Sequence, residues 1–341
     1  MESKNKLMNM KKIERYSRQV ILKNWNQKRL EKSTILVAGV GSLGCFSAMN
    51  FTLMGVGRLI LVDYDTVEVS NLNRQILFSE EDVGKFKSDI AKLKLEKLNP
   101  SVVVEAYNSD LRRLDKKIFE EADIILDGLD SFETRRWLNS ISVALKKPLI
   151  HGALYGWWGD VQVVLPYQTA CLECQPLIPR NRLQQYCSPA GRARRIKTDG
   201  KTTPTPIINT TCMVVSGIQC QEALKIIMGL KDSLLKEYLF YDGESGRFTY
   251  MEVSRNPECI VCGDKYNIEG EEFAINPLEE VKNATARLNM IFGLKDSKMI
   301  YKGRFLDPEF KFKEYNIIEN DIVYLISGDL EKPVKLKFKF I

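Results

Sequence analysis

Two C-x-x-C pairs, Cys171-Leu-Glu-Cys174 and Cys259-Ile-Val-Cys262, lie far apart in this 341-residue chain. Each pair can supply two thiolates to one tetrahedral Zn2+, and Pro257 and Gly263 beside the second pair suit a tight knuckle turn. A closed shell of four thiolates has no open position for chemistry, so such a site ties distant parts of the chain together. A redox C-x-x-C would want one pair beside a thioredoxin-like strand and would leave the other idle. A second pattern concerns phosphate. Gly39, Gly41 and Gly44 form G-x-G-x-x-G directly after the apolar run Ile35 to Ala38. A helix-compatible stretch to about Leu53 follows, then a second apolar run, Leu59 to Val62, ending in Asp63. This order marks a nucleotide site. The glycines let backbone pass close to phosphate oxygens, and a helix N-terminus offers free N–H groups and a positive dipole. Asp63 can accept both hydroxyls of a ribose.

A nicotinamide dinucleotide would satisfy that pattern equally well, so the next residues decide. Asp65, Asn71, Asn73, Arg74 and Gln75 crowd just beyond the ribose acid. An NAD-dependent oxidoreductase has no evident need for an Arg and two Asn there, whereas a triphosphate needs cations and amide donors for its β- and γ-groups. The elements that must carry these groups alternate. A helix falls between Phe78 and Asn99, with Val83-Gly84 ahead of it and Asn99-Pro100 ending it. It bears Lys85, Lys87, Lys92 and Lys94, most of them expected on a solvated face. Val102 to Tyr107 and Ile124 to Leu126 read as further strands. Asp130 stands just past the second, where open α/β sheets place ligand groups. IERYSRQVILKNW reads as a short amphipathic helix, and DGESG inside Tyr238 to Val253 as a hairpin. The expected fold is α/β: a Rossmann-like, mostly parallel sheet with helices on both faces.

The quoted run VDYDTVEVSNLNRQ resembles the ubiquitin-activating enzyme superfamily, which includes the bacterial adenylyltransferases for sulfur-carrier proteins of molybdopterin and thiamine synthesis. The resemblance extends over residues 13 to 263. It implies ATP bound by Gly39, Gly41, Gly44, Asp63, Asp65, Asn71 and Arg74. R-Y-S-R-Q resembles a family segment whose second Arg, here Arg18, reaches the nucleotide site of a neighbouring subunit, which implies a homodimer. VGKFKSD assigns Lys87 to the triphosphate, and GLDS assigns Asp130 to Mg2+, with Asp127 as a fallback ligand. QQYCSPAG resembles the family's cysteine loop, making Cys187 the candidate nucleophile for a thioester, with Cys212 second. Arg182, Arg192, Arg194 and Arg195 near Cys187 would lower a thiol pKa. Cys45 and Cys220 read as buried packing. The lone histidine, His151, reads as structural, because an ionised carboxylate attacking a phosphate needs no general base.

Residues 1–12 read as a frayed end, 264–272 as a linker, and 273–341 as a small α+β domain. Its run MIYKGRFLDPEFKFKEYNIIENDIVYLISG resembles ubiquitin, a β-grasp. Leu278, Val281, Leu288 and Ile291 fall on one helical face; Met299 to Tyr301, Asp321 to Ile326 and Val334 to Phe340 read as strands. Ser327-Gly328 is internal, so the module is expected to dock a conjugating enzyme rather than to be activated itself. Net charge is only +6, no basic–aromatic module appears, and no apolar run approaches a membrane span, so neither nucleic acid nor membrane is expected as a partner. A cytosolic place follows from eight Cys arranged for metal rather than for disulfides. The resemblance implies activation of a ubiquitin-like modifier ending in Gly-Gly. Adenylation of a sulfur-carrier protein is the alternative, and a non-catalytic partner subunit would have lost the Arg, Lys and Asp retained here.

Overall fold

The computed structural model describes residues 14–174, 206–257, 259, 261–263, 271–292, 294–328 and 333–341. They fall into two compact units. The first holds residues 14–130, 149–163 and 206–252 of those described. Its sheet contains β1 Thr34–Ala38, β2 Arg58–Val62, β3 Val103–Tyr107, β4 Ile124–Asp127, β5 Leu149–Tyr155, β6 Trp158–Val164, β7 Tyr238–Asp242 and β8 Arg247–Met251. Their order is β3-β2-β1-β4-β5-β6-β7-β8. Parallel pairing runs from β3 through β2, β1 and β4 to β5, while β6–β7 and β7–β8 are antiparallel. The parallel strands β1, β2 and β4 are buried runs of Ile, Leu and Val, as strands covered on both faces must be. Strand order reverses between β1 and β4, and the crevice past their carboxyl ends is where such sheets bind ligands.

Helix α1 spans Ser42–Met54 and α2 spans Lys87–Leu98. The residues between Phe78 and Phe86 are not helical as expected. They form a 3-10 turn at Glu80–Asp82 and pass through Gly84 at φ +87, which delays the helix to Lys87. Lys94 is likewise not merely solvated, since it donates to Ser79 and pairs with Asp82 in that turn. Of the expected amphipathic helix only Glu14 and Arg15 are helical among the described residues; the chain from 16 to 24 runs through turns and a bend, and Val20, Ile21 and Leu22 are exposed.

The second unit contains residues 131–148, 164–174 and the described part of 253–341. Helix α3, Phe132–Ala144, opens on a Ser131 cap that accepts from Thr134 N. A 20-residue helix of the first unit, α4, covers Asn209–Met228. It is apolar on most sides and packs on α1, where Ser47 and Ser216 share a hydrogen bond of 3.0 Å. The remaining elements of the second unit are β9 Glu271–Ile275, α5 Val281–Phe292, β10 Ser297–Tyr301, β11 Arg304–Phe305, β12 Ile322–Ser327 and β13 Val334–Phe340. They form a separate sheet in the order β11-β10-β12-β13-β9, with only β13 and β9 parallel. Helix α5 packs on one face through Val281, Ala284 and Leu288 against Ile275, Met299, Val323, Leu325, Leu336 and Phe338. This is the expected one-helix, one-sheet grasp. Leu278 lies outside it, ahead of the helix and exposed.

The opposite face of that sheet is also buried. Ile300 alternates with the core residues Met299 and Tyr301, yet none of its surface is exposed, and Tyr324 and Ile326 are nearly as covered. On this side Arg136 of α3 sits 5.3 Å over the Phe305 ring and forks onto Glu173, with Nη2 2.8 Å from Oε2. Gly303 lies so close to Val261 O that a Cβ would approach it to 3.0 Å. The sheet therefore rests on α3 and on the cysteine-bearing turns. Replacing Arg136 by Met keeps the stem but strands the Glu173 carboxylate, and is expected to lower stability by about 3 kcal/mol in urea unfolding.

Candidate active site and metal centre

At the end of β1 the chain turns through Gly39, whose φ of +87 an L side chain rarely adopts. A Cβ there would lie 2.7 Å from Gly128 O, and one at Gly44 only 1.9 Å from Gly39 O. Those two glycines serve packing. Gly41 differs, because its added Cβ would meet nothing closer than 3.8 Å. What it would fill is the space beside the first turn of α1, whose N-terminus no side chain caps. Open N–H groups next to a missing side chain suit a phosphate.

Asp63 follows β2 and is half-buried. Its Oδ2 accepts from Val40 N at 2.7 Å and its Oδ1 from Asp65 N at 2.8 Å, so the acid is locked to the glycine turn. Desolvation raises it to about 6, with Lys87 offsetting part of the rise. Lys87 opens α2 and is 4% exposed, its Nζ lying 3.3 Å from Asp65 Oδ2. Burial pulls this ammonium down, but Asp63, Asp65 and Asp130 outweigh it and the net direction is up. Lys87, Asp63, Asp65 and Asp130 are thus gathered from the ends of β2 and β4 and the start of α2.

Arg74 is half-buried and donates from Nη1 to Ser70 O at 2.6 Å and Asn73 Oδ1 at 2.9 Å. Its Nε and the Oε1 of Gln75 are buried and find no partner among the described residues. Gln75 Nε2 would stand 3.9 Å from a Gly41 Cβ, which puts it beside the phosphate cradle. Gln75 gained no role from its spacing; its place directly after Arg74 was the signal. Asn71 is buried, and its Oδ1 accepts from Glu68 N, holding the Val69–Asn71 turn that carries Arg74. Arg18 is exposed. These orphaned polar atoms, the open helix end and the acid-held lysine fit a nucleotide triphosphate with its divalent cation.

The structure corrects two fallback assignments. Asp127 is fully buried and both its oxygens are engaged, Oδ1 by Leu129 N at 3.0 Å and Oδ2 by His151 Nδ1 at 2.6 Å, so it is not available to Mg2+. Cys212 is sealed, its S–H donates to Ile208 O, and burial carries its thiol up to about 11, so it is no poised nucleophile. Cys45 and Cys220 are buried as expected, pushed up to about 12 and about 11. His151 is structural in the sense expected. Burial pulls the imidazole down, but Asp127 and Asp160 outweigh this and carry it up to about 9. Cys187 lies outside the described residues.

In the second unit Cys171, Cys174, Cys259 and Cys262 bring four sulfurs within 4.8 Å of one another, all buried. Three separations are 3.3, 3.6 and 3.9 Å, close to the ~3.8 Å edge of a tetrahedron with Zn–S bonds of about 2.3 Å. Backbone N–H groups of Cys171 and Asn256 point at Cys174 Sγ, and that of Val261 at Cys259 Sγ, as thiolate ligands require. Gly263 permits the second knuckle, since a Cβ there would lie 2.4 Å from Cys259 O. The donor set fits Zn2+.

The sequence profile of the ThiF family matches residues 16–261, well over half of the chain. The chain belongs to the ThiF family. This ThiF-family protein is 35% identical over 264 residues to the sulfur carrier protein adenylyltransferase of Thermus thermophilus, covering 74% of the chain and 92% of that protein. It is 33% identical over 261 residues to the sulfur carrier protein ThiS adenylyltransferase of Escherichia coli, covering 75% and 97%. Against the adenylyltransferase and sulfurtransferase MOCS3 of Drosophila yakuba the identity is 34% over 256 residues, and the chain spans about half that protein's length, 53%, with 73% of its own. Among solved structures, E. coli MccB with ATP matches at a TM-score of 0.57 with 25% identity, covering 70% of this chain and 68% of that one. PaaA matches at 0.57 with 24% identity, covering 71% and 83%, which speaks for the fold alone. The reaction class is that of an adenylyltransferase, and nothing here supports the nicotinamide alternative. The relatives' names favour the sulfur-carrier alternative over the expected modifier activation. Among the described residues no helix is long and apolar enough to cross a membrane.

The two kinds of glycine separate experimentally. Gly39→Ala is expected to cost about 2 kcal/mol of stability in thermal unfolding, whereas Gly41→Ala leaves the Tm nearly unchanged and weakens ATP binding about tenfold or more. Because Asp63 loses its charge below about 6, ATP affinity measured by calorimetry falls as pH drops from 7 to 5. Asp63→Asn flattens that dependence.

Proposed function

We propose that this protein adenylylates the C-terminal carboxylate of a sulfur-carrier protein ending in Gly-Gly. The observation that carries the proposal is the 35% identity reaching across 92% of a sulfur carrier protein adenylyltransferase. The retained Arg74, Lys87 and Asp130 support an active rather than a pseudo-enzyme role.

In this reading Asp63 accepts the ribose hydroxyls, and the Gly41 turn with the first N–H groups of α1 takes phosphate oxygens. Asn71, Arg74 and Lys87 meet the β- and γ-groups, Lys87 exchanging part of its carboxylate surroundings for phosphate. Arg18 of a second copy would complete the shell, which makes the working form a homodimer. Asp130 is the ligand for Mg2+, which when bound would neutralise charge on the triphosphate. A carboxylate oxygen of the carrier bonds to the α-phosphorus as the bond to the bridging oxygen breaks, giving acyl-adenylate and pyrophosphate. The attacking group is already ionised, so the enzyme contributes position and charge neutralisation.

ATP–pyrophosphate exchange is expected only with a sulfur-carrier protein present, and to fall about 100-fold or more in Arg74→Ala and in Asp130→Ala. Mixing inactive Arg18→Ala with inactive Asp130→Ala should restore part of the rate through hybrid dimers. Exchange with ubiquitin-like modifiers but with no sulfur carrier would overturn the proposal.

A further inference from the structure

The turn that presents Asp130 is held from behind by a cluster that the adenylation chemistry itself leaves unused. His151 of β5 is 3% exposed. Its Nδ1 lies 2.6 Å from Asp127 Oδ2 at the end of β4, and its Nε2 lies 3.3 Å from Asp160 Oδ1 on β6. The other Asp127 oxygen accepts the Leu129 amide at 3.0 Å, an Asx-type contact that sets the course of Gly128, Leu129 and Asp130. Gln219 of α4 clamps the same strand ends by donating to Asp127 O at 2.9 Å and Ile150 O at 3.1 Å. Burying a carboxylate and an imidazole beside a second, partly exposed carboxylate often stabilises a fold no better than apolar packing of the same volume would. The cluster stands instead where orientation matters, three residues before Asp130 and at the reversal of strand order.

We propose that His151 is a positioning residue for adenylation: by holding Asp127 Oδ2 against β5 and β6, it keeps the Asp127–Leu129 bond made and so aims Asp130 at the metal on the phosphates. This rests on the proposed function, in which Asp130 is the Mg2+ ligand. His151 touches neither nucleotide nor carrier. Its effect passes through Asp127 and the turn, as outer-shell partners of metal ligands act elsewhere. A neutral apolar residue at 151 would remove the hold on Asp127 Oδ2 and loosen the Leu129 amide contact. Glutamine could keep one donor on Asp127.

The test is calorimetric binding of a non-hydrolysable ATP analogue to the full chain, with and without Mg2+. In the unaltered protein Mg2+ tightens binding. In His151→Leu that Mg2+-dependent gain should shrink about tenfold or more, while metal-free affinity stays within about twofold and the Tm confirms a folded protein. His151→Gln should recover part of the gain, and Asp160→Asn should lose part of it. If His151→Leu does not fold, the comparison of His151→Gln and Asp160→Asn with the unaltered protein decides by the same measure. An unchanged Mg2+ gain in the folded variants, or an equal loss of affinity with and without Mg2+, overturns the positioning role. Failure of the unaltered protein to bind the analogue in either buffer would instead overturn the adenylation reading, and this inference with it.

Discussion

A nearly buried ammonium stays charged here because three carboxylates surround it. Desolvation alone would lower the pKa of Lys87, and Asp63, Asp65 and Asp130 outweigh it. The acids need it in return, since Asp63 is already raised to about 6 by its own desolvation and would rise further without that cation. The first unit is arranged to hold this balance. The carboxyl ends of β2 and β4 deliver the acids, Gly84 delays α2 so that Lys87 becomes its first residue, and the glycine turn after β1 locks Asp63 through Val40 N. Before ligand arrives the ammonium and the acids compensate one another in part. A triphosphate with its cation can replace one set of charge contacts by another, with little desolvation left to do at the moment of reaction.

The second unit solves a different problem. Its grasp-like sheet has α5 on one face, and the other face carries apolar residues that water would otherwise meet. That face is covered by α3 and the cysteine knuckles, with Arg136 reaching both Phe305 and the Glu173 that lies between Cys171 and Cys174. Four thiols that fit one Zn2+ therefore sit beside that sheet and helix, which suits a structural metal. The residues that pack this outer face, Ile300, Tyr324 and Ile326, are consequently not free to dock another protein. The β13 strand that follows Ser327-Gly328 is an interior member of the sheet, so the position of that dipeptide offers no slender tail for activation.

Much of this was legible in the residues alone, for identifiable reasons. Buried parallel strands need unbroken apolar runs, and β1, β2 and β4 lie within a residue of where those runs predict them. The C-x-x-C pairs were readable because a soft cation imposes its own spacing on the chain. Other features resisted. Turn geometry at Glu80–Gly84 displaced the start of α2, and a stretch with helical periodicity folded as turns from residue 16 to 24. Asp127 looked as free as Asp130 in a linear motif. Only the partner brought by β5 separates a clamped acid from an available one. Cys212 looked activatable at a helix start, but packing seals it.

Sequence by itself pointed to a nucleotide and to four thiols suited to one metal ion, and it set the order of strands and helices, since glycine, cysteine and β-branched residues carry constraints that act within a few positions of themselves. Tertiary structure alone decided which titratable groups share a dielectric pocket. It placed Lys87 among three acids, His151 between two, and the outer face of the grasp-like sheet against α3. Electrostatic coupling and burial depend on distance through space, and the chain order of these residues does not encode that distance.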